Sequence, residues 1–218
     1  MKKILIASLL AAGLALSSHA QGLVLFTGGT QNITTNNTLV QLGAIASGKT
    51  SGAGNFYYAL FYSATATTVS SPYAFLDSNW TAVTSDIGAS SATAGRFLPQ
   101  TPNGDGSTTI LNVAAGSTAQ FVVVGWSASL ASSLSQLESL FNANGVLTAG
   151  AGFIGQSVVS GPISLGNGGS LPTPALFGNS SPLIQGFVLN GVVAAPEPGT
   201  IALAGLGIAG LLALRRKK

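Results

Sequence analysis

The chain has 218 residues, of which 6% are charged and 46% hydrophobic, with 29 glycines and no cysteine. The missing cysteine excludes disulfide bracing and thiolate chemistry, so stability must come from packing and hydrogen bonds. The net charge of +3 belongs to the two ends: between Gln21 and Ala195 only Lys49 and Arg96 face Asp77, Asp86, Asp105 and Glu138, a balance of −2. No basic patch remains there to neutralise phosphates, which argues against a nucleic-acid partner.

Taken in order, Lys2 and Lys3 precede an apolar stretch from Ile4 to Leu16, and Ser18-His19-Ala20 places small residues at the −3 and −1 positions of a cleavage site. That is the pattern of a secretory signal peptide, a short helix over 1–20 removed after Ala20 to leave Gln21 first. It takes with it His19, the single histidine. The mature body then has neither His nor Cys, which excludes Ser-His-Asp and Cys-His triads and ordinary zinc sites.

The body, residues 21–190, is of a size that suits one domain and buries a core. Gln21 to Thr27 reads as a strand, Gln31 to Asn37 as a polar turn, Thr38 to Ala46 as a second strand and Ser47 to Asn55 as a Gly-rich loop. Asn55 to Ser63 (NFYYALFYS) is the strongest strand, with Phe56, Tyr58, Leu60 and Tyr62 on one face and Tyr57, Ala59 and Phe61 on the other. Apolar character on both faces predicts a central strand covered on both sides. Asn79 to Thr84 and Ala94 to Leu98 are shorter strand candidates. In the turn-rich stretch that follows, Asn103, Asp105 and Ser107 alternate with glycines like the start of a calcium loop. The twelfth position holds Ala114 where a bidentate Glu belongs, so the stretch reads as a plain turn.

Thr108 to Val113 and Ala119 to Ser127 (AQFVVVGWS) follow as strands. Leu130, Leu134, Leu137, Leu140 and Phe141 then recur at helical spacing, with Ser129 or Ser132 placed to cap the start and Gly145 the end. This amphipathic helix is expected to pack over an end of the sheets. Gly152 to Leu165 offers a strand interrupted by Gly161-Pro162, Gly166 to Pro182 a loop, and Leu183 to Asn190 the last strand. Short strands with turn signals between them predict a mainly β fold, a single antiparallel β-sandwich of jelly-roll or Ig-like type with one short helix.

A linker over 191–199 carries Pro196-Glu197-Pro198, and residues 200–218 hold the uncharged run Thr200 to Leu214 followed by Arg215-Arg216-Lys217-Lys218. The prolines lack N–H groups and hold an extended, exposed strip. As a helix of ~1.5 Å rise per residue the run covers roughly 22 Å, short of the ~30 Å hydrocarbon core. The four cations stay on the cytoplasmic side and stop translocation.

This three-part tail resembles the PEP-CTERM sorting signal of Gram-negative bacteria that make exopolysaccharide. The resemblance implies that Pro196, Glu197 and Pro198, with the basic cluster Arg215 to Lys218, are recognition residues for an exosortase, a membrane-embedded cysteine transpeptidase. That enzyme removes the tail after transient membrane anchoring. More loosely, NFYYALFYS, AQFVVVGWSASL and LIQGFVLNG in this order are similar to a group of secreted β-rich PEP-CTERM proteins with no established activity.

The function expected is that of a secreted, non-enzymatic cell-envelope or extracellular-matrix protein associated with exopolysaccharide. It needs no cofactor and carries no catalytic or metal residue. The alternative is a carbohydrate-binding module using exposed rings among Trp80, Trp126, Tyr57, Tyr58, Tyr62 and Tyr73. A carboxylate-pair hydrolase would need two of Asp77, Asp86, Asp105 and Glu138 in one cleft.

Overall fold

A computed structural model describes residues 21–27, 33–36, 47–99 and 105–194. The expected signal helix, the strand over 38–46, the sorting motif and the C-terminal helix lie outside them. Among the described residues no helix is long and apolar enough to cross a membrane.

The fold is mainly β. Its strands are β1 (Gln21–Leu25), β2 (Thr34–Asn36), β3 (Gly48–Lys49), β4 (Phe56–Ser63), β5 (Thr81–Ser90), β6 (Phe97–Pro99), β7 (Ser107–Ala114), β8 (Thr118–Ser127), β9 (Ala151–Gln156), β10 (Ile163–Ser164) and β11 (Val188–Val193). One α-helix is described, α1 (Leu134–Ser139). The large sheet runs β3-β2-β11-β9-β8-β4-β5-β6, with β10 joined to β8, while β1 and β7 form a separate antiparallel pair.

The centre of the large sheet is the antiparallel pair β4 and β8, in register from Phe56 opposite Ser127 to Ser63 opposite Gln120. Both strands are apolar on both faces, and the period-2 alternation divides them between two cores. Phe56, Tyr58, Leu60 and Tyr62 meet Phe121 and Val123 in the first core, under Val24, Phe26 and Ile110 of the β1–β7 region. Ala59 and Phe61 meet Val122, Val124 and Trp126 in the second, under Ala74, Trp80, Leu134 and Leu137. The expectation of a central strand covered on both sides therefore holds for β4.

Other expectations are corrected. The polar stretch read as a turn contains β2, whose Thr34 to Asn36 pair in parallel with Val188 to Asn190, so the sheet is not purely antiparallel. Backbone pairing with a strand far along the chain overrides the turn signal of the asparagines that flank Ile33 to Thr35. The Gly-rich loop contains β3. β5 runs on to Ser90, beyond Thr84. The last strand starts at Val188, not Leu183, and continues to Val193, past Asn190. Gly166 to Pro182 contains no named strand, yet its backbone binds β1: Leu23 and Gly166 exchange both N–H···O bonds, at 2.9 and 3.0 Å.

The helix is shorter than its apolar spacing suggests. Its cap is neither Ser129 nor Ser132 but Ser133, whose Oγ accepts from the Gln136 N–H at 3.2 Å. Ser132 donates instead to Gln136 Oε1 from both N–H and hydroxyl, at 2.8 and 2.9 Å. Leu134 and Leu137 are buried in the second core beside Trp126, so α1 covers a sheet face rather than an end.

The large sheet is curled, and chain length explains why. β3 and β4 lie five strand positions apart, about 24 Å in a flat sheet at ~4.8 Å per strand. The chain between Lys49 and Phe56 reaches about that far only when fully extended. It is not extended, since it turns where the Asn55 N–H donates to Gly52 C=O at 3.3 Å. The sheet edges therefore approach each other. Ile33 N–H donates to Gly95 C=O at 3.2 Å, Gly95 N–H to Thr50 C=O at 2.7 Å, and the β4 hydroxyl of Tyr58 to Thr50 Oγ1 at 3.2 Å.

Candidate functional site

The curl leaves a cleft of about 580 Å³ where the β3–β4 connection crosses the start of β4 and the end of β8. Its apolar wall is Phe56 and Phe153, an edge-to-face pair with ring centroids 6.5 Å apart. Its polar wall comes from two turns that are tied together by the Ala128 N–H, which donates to Asn55 C=O at 2.8 Å. One turn brings Lys49, Ser51 and Asn55 and the other Ser127 and Ser129.

These polar groups are held in place to different degrees. Ser127 is buried and fixed: its Oγ accepts from Phe153 N–H at 2.9 Å and lies 3.0 Å from Ser129 Oγ. Asn55 Nδ2 donates to Ser51 C=O at 3.1 Å, which leaves its Oδ1 for another partner. Lys49 is exposed, and no ion pair joins it to a carboxylate among the described residues. The arrangement is a cleft with a polar wall facing an apolar one, with one ammonium group and no acid among its lining residues. In the sequence, Lys49 and Ser51 belong to a Gly-rich loop, Asn55 and Ser127 to the ends of strands and Ser129 to a helix start, and nothing there brings them together.

The acids are dispersed. Asp77 is buried in the loop over the second core, where Oδ2 accepts from Ser70 N–H (2.6 Å) and Oγ–H (2.8 Å) and Oδ1 from Asn79 N–H (3.0 Å) and Nδ2 (2.9 Å). Burial opposes its ionisation, but these four bonds outweigh that and hold the carboxyl down to about 2. Asp86, buried on β5, accepts from Thr108 Oγ1 of β7 and so ties the two sheets. Asp105 is exposed and closes a turn, accepting from Ser107 Oγ–H at 2.6 Å and N–H at 2.8 Å. Those bonds hold its carboxyl below the usual carboxylate range. Glu138 is exposed on α1. Among the described residues no three acids gather in a way that could hold a metal ion.

The rings proposed for sugar stacking are mostly inside. Trp80, Trp126, Tyr58 and Tyr62 are buried, and Trp126 Nε1–H donates to Ala131 C=O at 2.9 Å. Burial pushes the Tyr58 hydroxyl up to about 12 against the opposing Thr50 bond. Only Tyr57 and Tyr73 are half-exposed, and Tyr73 already stacks on Phe75 at 5.3 Å and 4°. Gln21, the expected first mature residue, opens β1 opposite Ala114. Ala20, Pro196, Glu197, Pro198, Arg215, Arg216, Lys217 and Lys218 lie outside the described residues.

A β-rich body whose three described aspartates are bound into turns and sheet contacts, followed by a chemically distinct tail, has the layout of cargo joined to an address. Residues 194–217 match the family model of the PEP-CTERM protein-sorting motif, so the chain carries that sorting signal. The signal marks it for export and for processing by an exosortase. No curated protein and no solved structure matches the chain.

Proposed function

We propose that this protein is a non-enzymatic component of the cell envelope or extracellular matrix, exported, cut by an exosortase and retained with exopolysaccharide. The observation that carries the reading is the sorting motif at 194–217 behind a body that lacks His and Cys between Gln21 and Ala195. A secretory leader over 1–20 brings the chain to the membrane, and the apolar run from Thr200 to Leu214 holds it there until it is cut. The body, a β-sandwich-type domain, then acts as the cargo.

Dispersal of the acids supports a non-enzymatic role. Asp77, Asp86 and Asp105 each accept hydrogen bonds that organise a turn or join two strands. Burial of four of the six large polar rings narrows a stacking mode of sugar binding to Tyr57 and Tyr73.

Fractionation tests the retention. In cells that make exopolysaccharide the protein is expected with the polymer fraction, and in a strain lacking the polymer it is expected free in the medium. Equal release from both strains would overturn the association.

A further inference from the structure

We infer that the cleft beside Lys49 binds an acidic sugar residue, a uronate within a polysaccharide chain. The inference rests on the proposed association with exopolysaccharide and names where and how the polymer is held. Three features of the cleft lead to it.

The first is charge. Lys49 is one of two cations in a body of net −2, and it stands at the cleft without a carboxylate partner among the described residues. An ammonium group on a flexible stem meets a carboxylate as a point charge and needs no bidentate geometry. The second is the neutral polar wall. Hydroxyls of Ser51 and Ser129 both give and take hydrogen bonds and the Oδ1 of Asn55 accepts them, which suits the hydroxyl groups of a sugar. The third is size and stiffness. About 580 Å³ lies within the range of small-molecule sites and holds one or two sugar rings. Its floor is rigid, because Ser127 is locked by Phe153 N–H and the Phe56–Phe153 pair closes the apolar side.

A nucleotide or an inorganic anion suits the cleft less well. It offers one cation, whereas phosphate recognition uses several charged or N–H donors. An apolar ligand would leave the Asn55 Oδ1 desolvated without a partner.

Calorimetric titration of the secreted protein with tri-galacturonate, neutral galactotriose and sodium sulfate separates the cases. Tri-galacturonate is expected to bind, with affinity that falls as salt rises. Lys49→Gln is expected to weaken it roughly tenfold or more, and Asn55→Ala to weaken it less. Lys49 is exposed, so Lys49→Gln should retain the native unfolding midpoint. Galactotriose binding as tightly as the acid would overturn the role of Lys49, sulfate binding as tightly would overturn the sugar, and no binding of tri-galacturonate would overturn the inference. If native protein and Lys49→Gln cosediment equally with the producing strain's own polysaccharide, the cleft assignment falls while the association with polymer stands.

Discussion

Asp77 shows how a charged residue can be structural here. Two hydrogen bonds on each carboxylate oxygen convert an ionised side chain into the knot of the loop that covers the second core. Its folded value of about 2 lies below the ordinary 3.8, so the stabilisation is fully present above pH 4 and is lost as pH falls through about 2. The linkage amounts to about 2 kcal/mol at neutral pH. Asp77→Ala is therefore expected to lower stability by about that amount at pH 7, with the gap shrinking toward pH 2. Urea midpoints at pH 7 and pH 2.5 check this, and a pH-independent difference would show that the charge is not what matters. The sequence pointed to Asp77 only as one acid among four, because its partners Ser70 and Asn79 belong to a loop with no motif.

At the scale of elements, legibility followed the origin of each strand. β4 and β8 were readable because their own residues are apolar on both faces, and burial on both faces is what such residues require. β2 was not, because Thr34 to Asn36 owe their extended form to β11, more than a hundred residues away. The length of β5 was hidden for a similar reason. Gly88 looks like a break, yet its missing Cβ is the space that the Phe97 ring occupies. The cap of α1 was misplaced because neighbouring serines offer the same hydroxyl, and only the fold selects Ser133. The cleft was the least legible feature, since it depends on the curl that joins the Asn55 and Ala128 turns.

The end of β11 is also decided by pairing. Gly191 to Val193 lie opposite Phe153 to Ala151, and Gly155 permits the close approach because a Cβ there would meet the Val188 backbone. A secreted body ending at Asn190 is expected to be less stable than one ending at Ala194, on the order of 1–3 kcal/mol. Urea denaturation of the two chains measures the difference, and equal midpoints would mean that the domain stops at Asn190.

For the whole molecule, two kinds of information are kept apart along the chain. The body folds through aromatic and aliphatic packing with few charges, and the sorting motif at 194–217 follows as soon as β11 ends. The net charge of +3 comes from the ends, while residues 21–195 balance to −2 and place Lys49 at the cleft. The tail was legible because its parts are local and ordered, whereas the body's role rests on side chains that only the fold brings together.

The central claim is processing at both ends, and intact mass of the protein from cells with and without exosortase tests it most directly. The mass predicted for exosortase-positive cells is that of a chain beginning at Gln21 and ending near Pro196-Glu197-Pro198, while cells lacking the enzyme retain the tail through Lys218. A chain that ends at Lys218 in both would contradict the account.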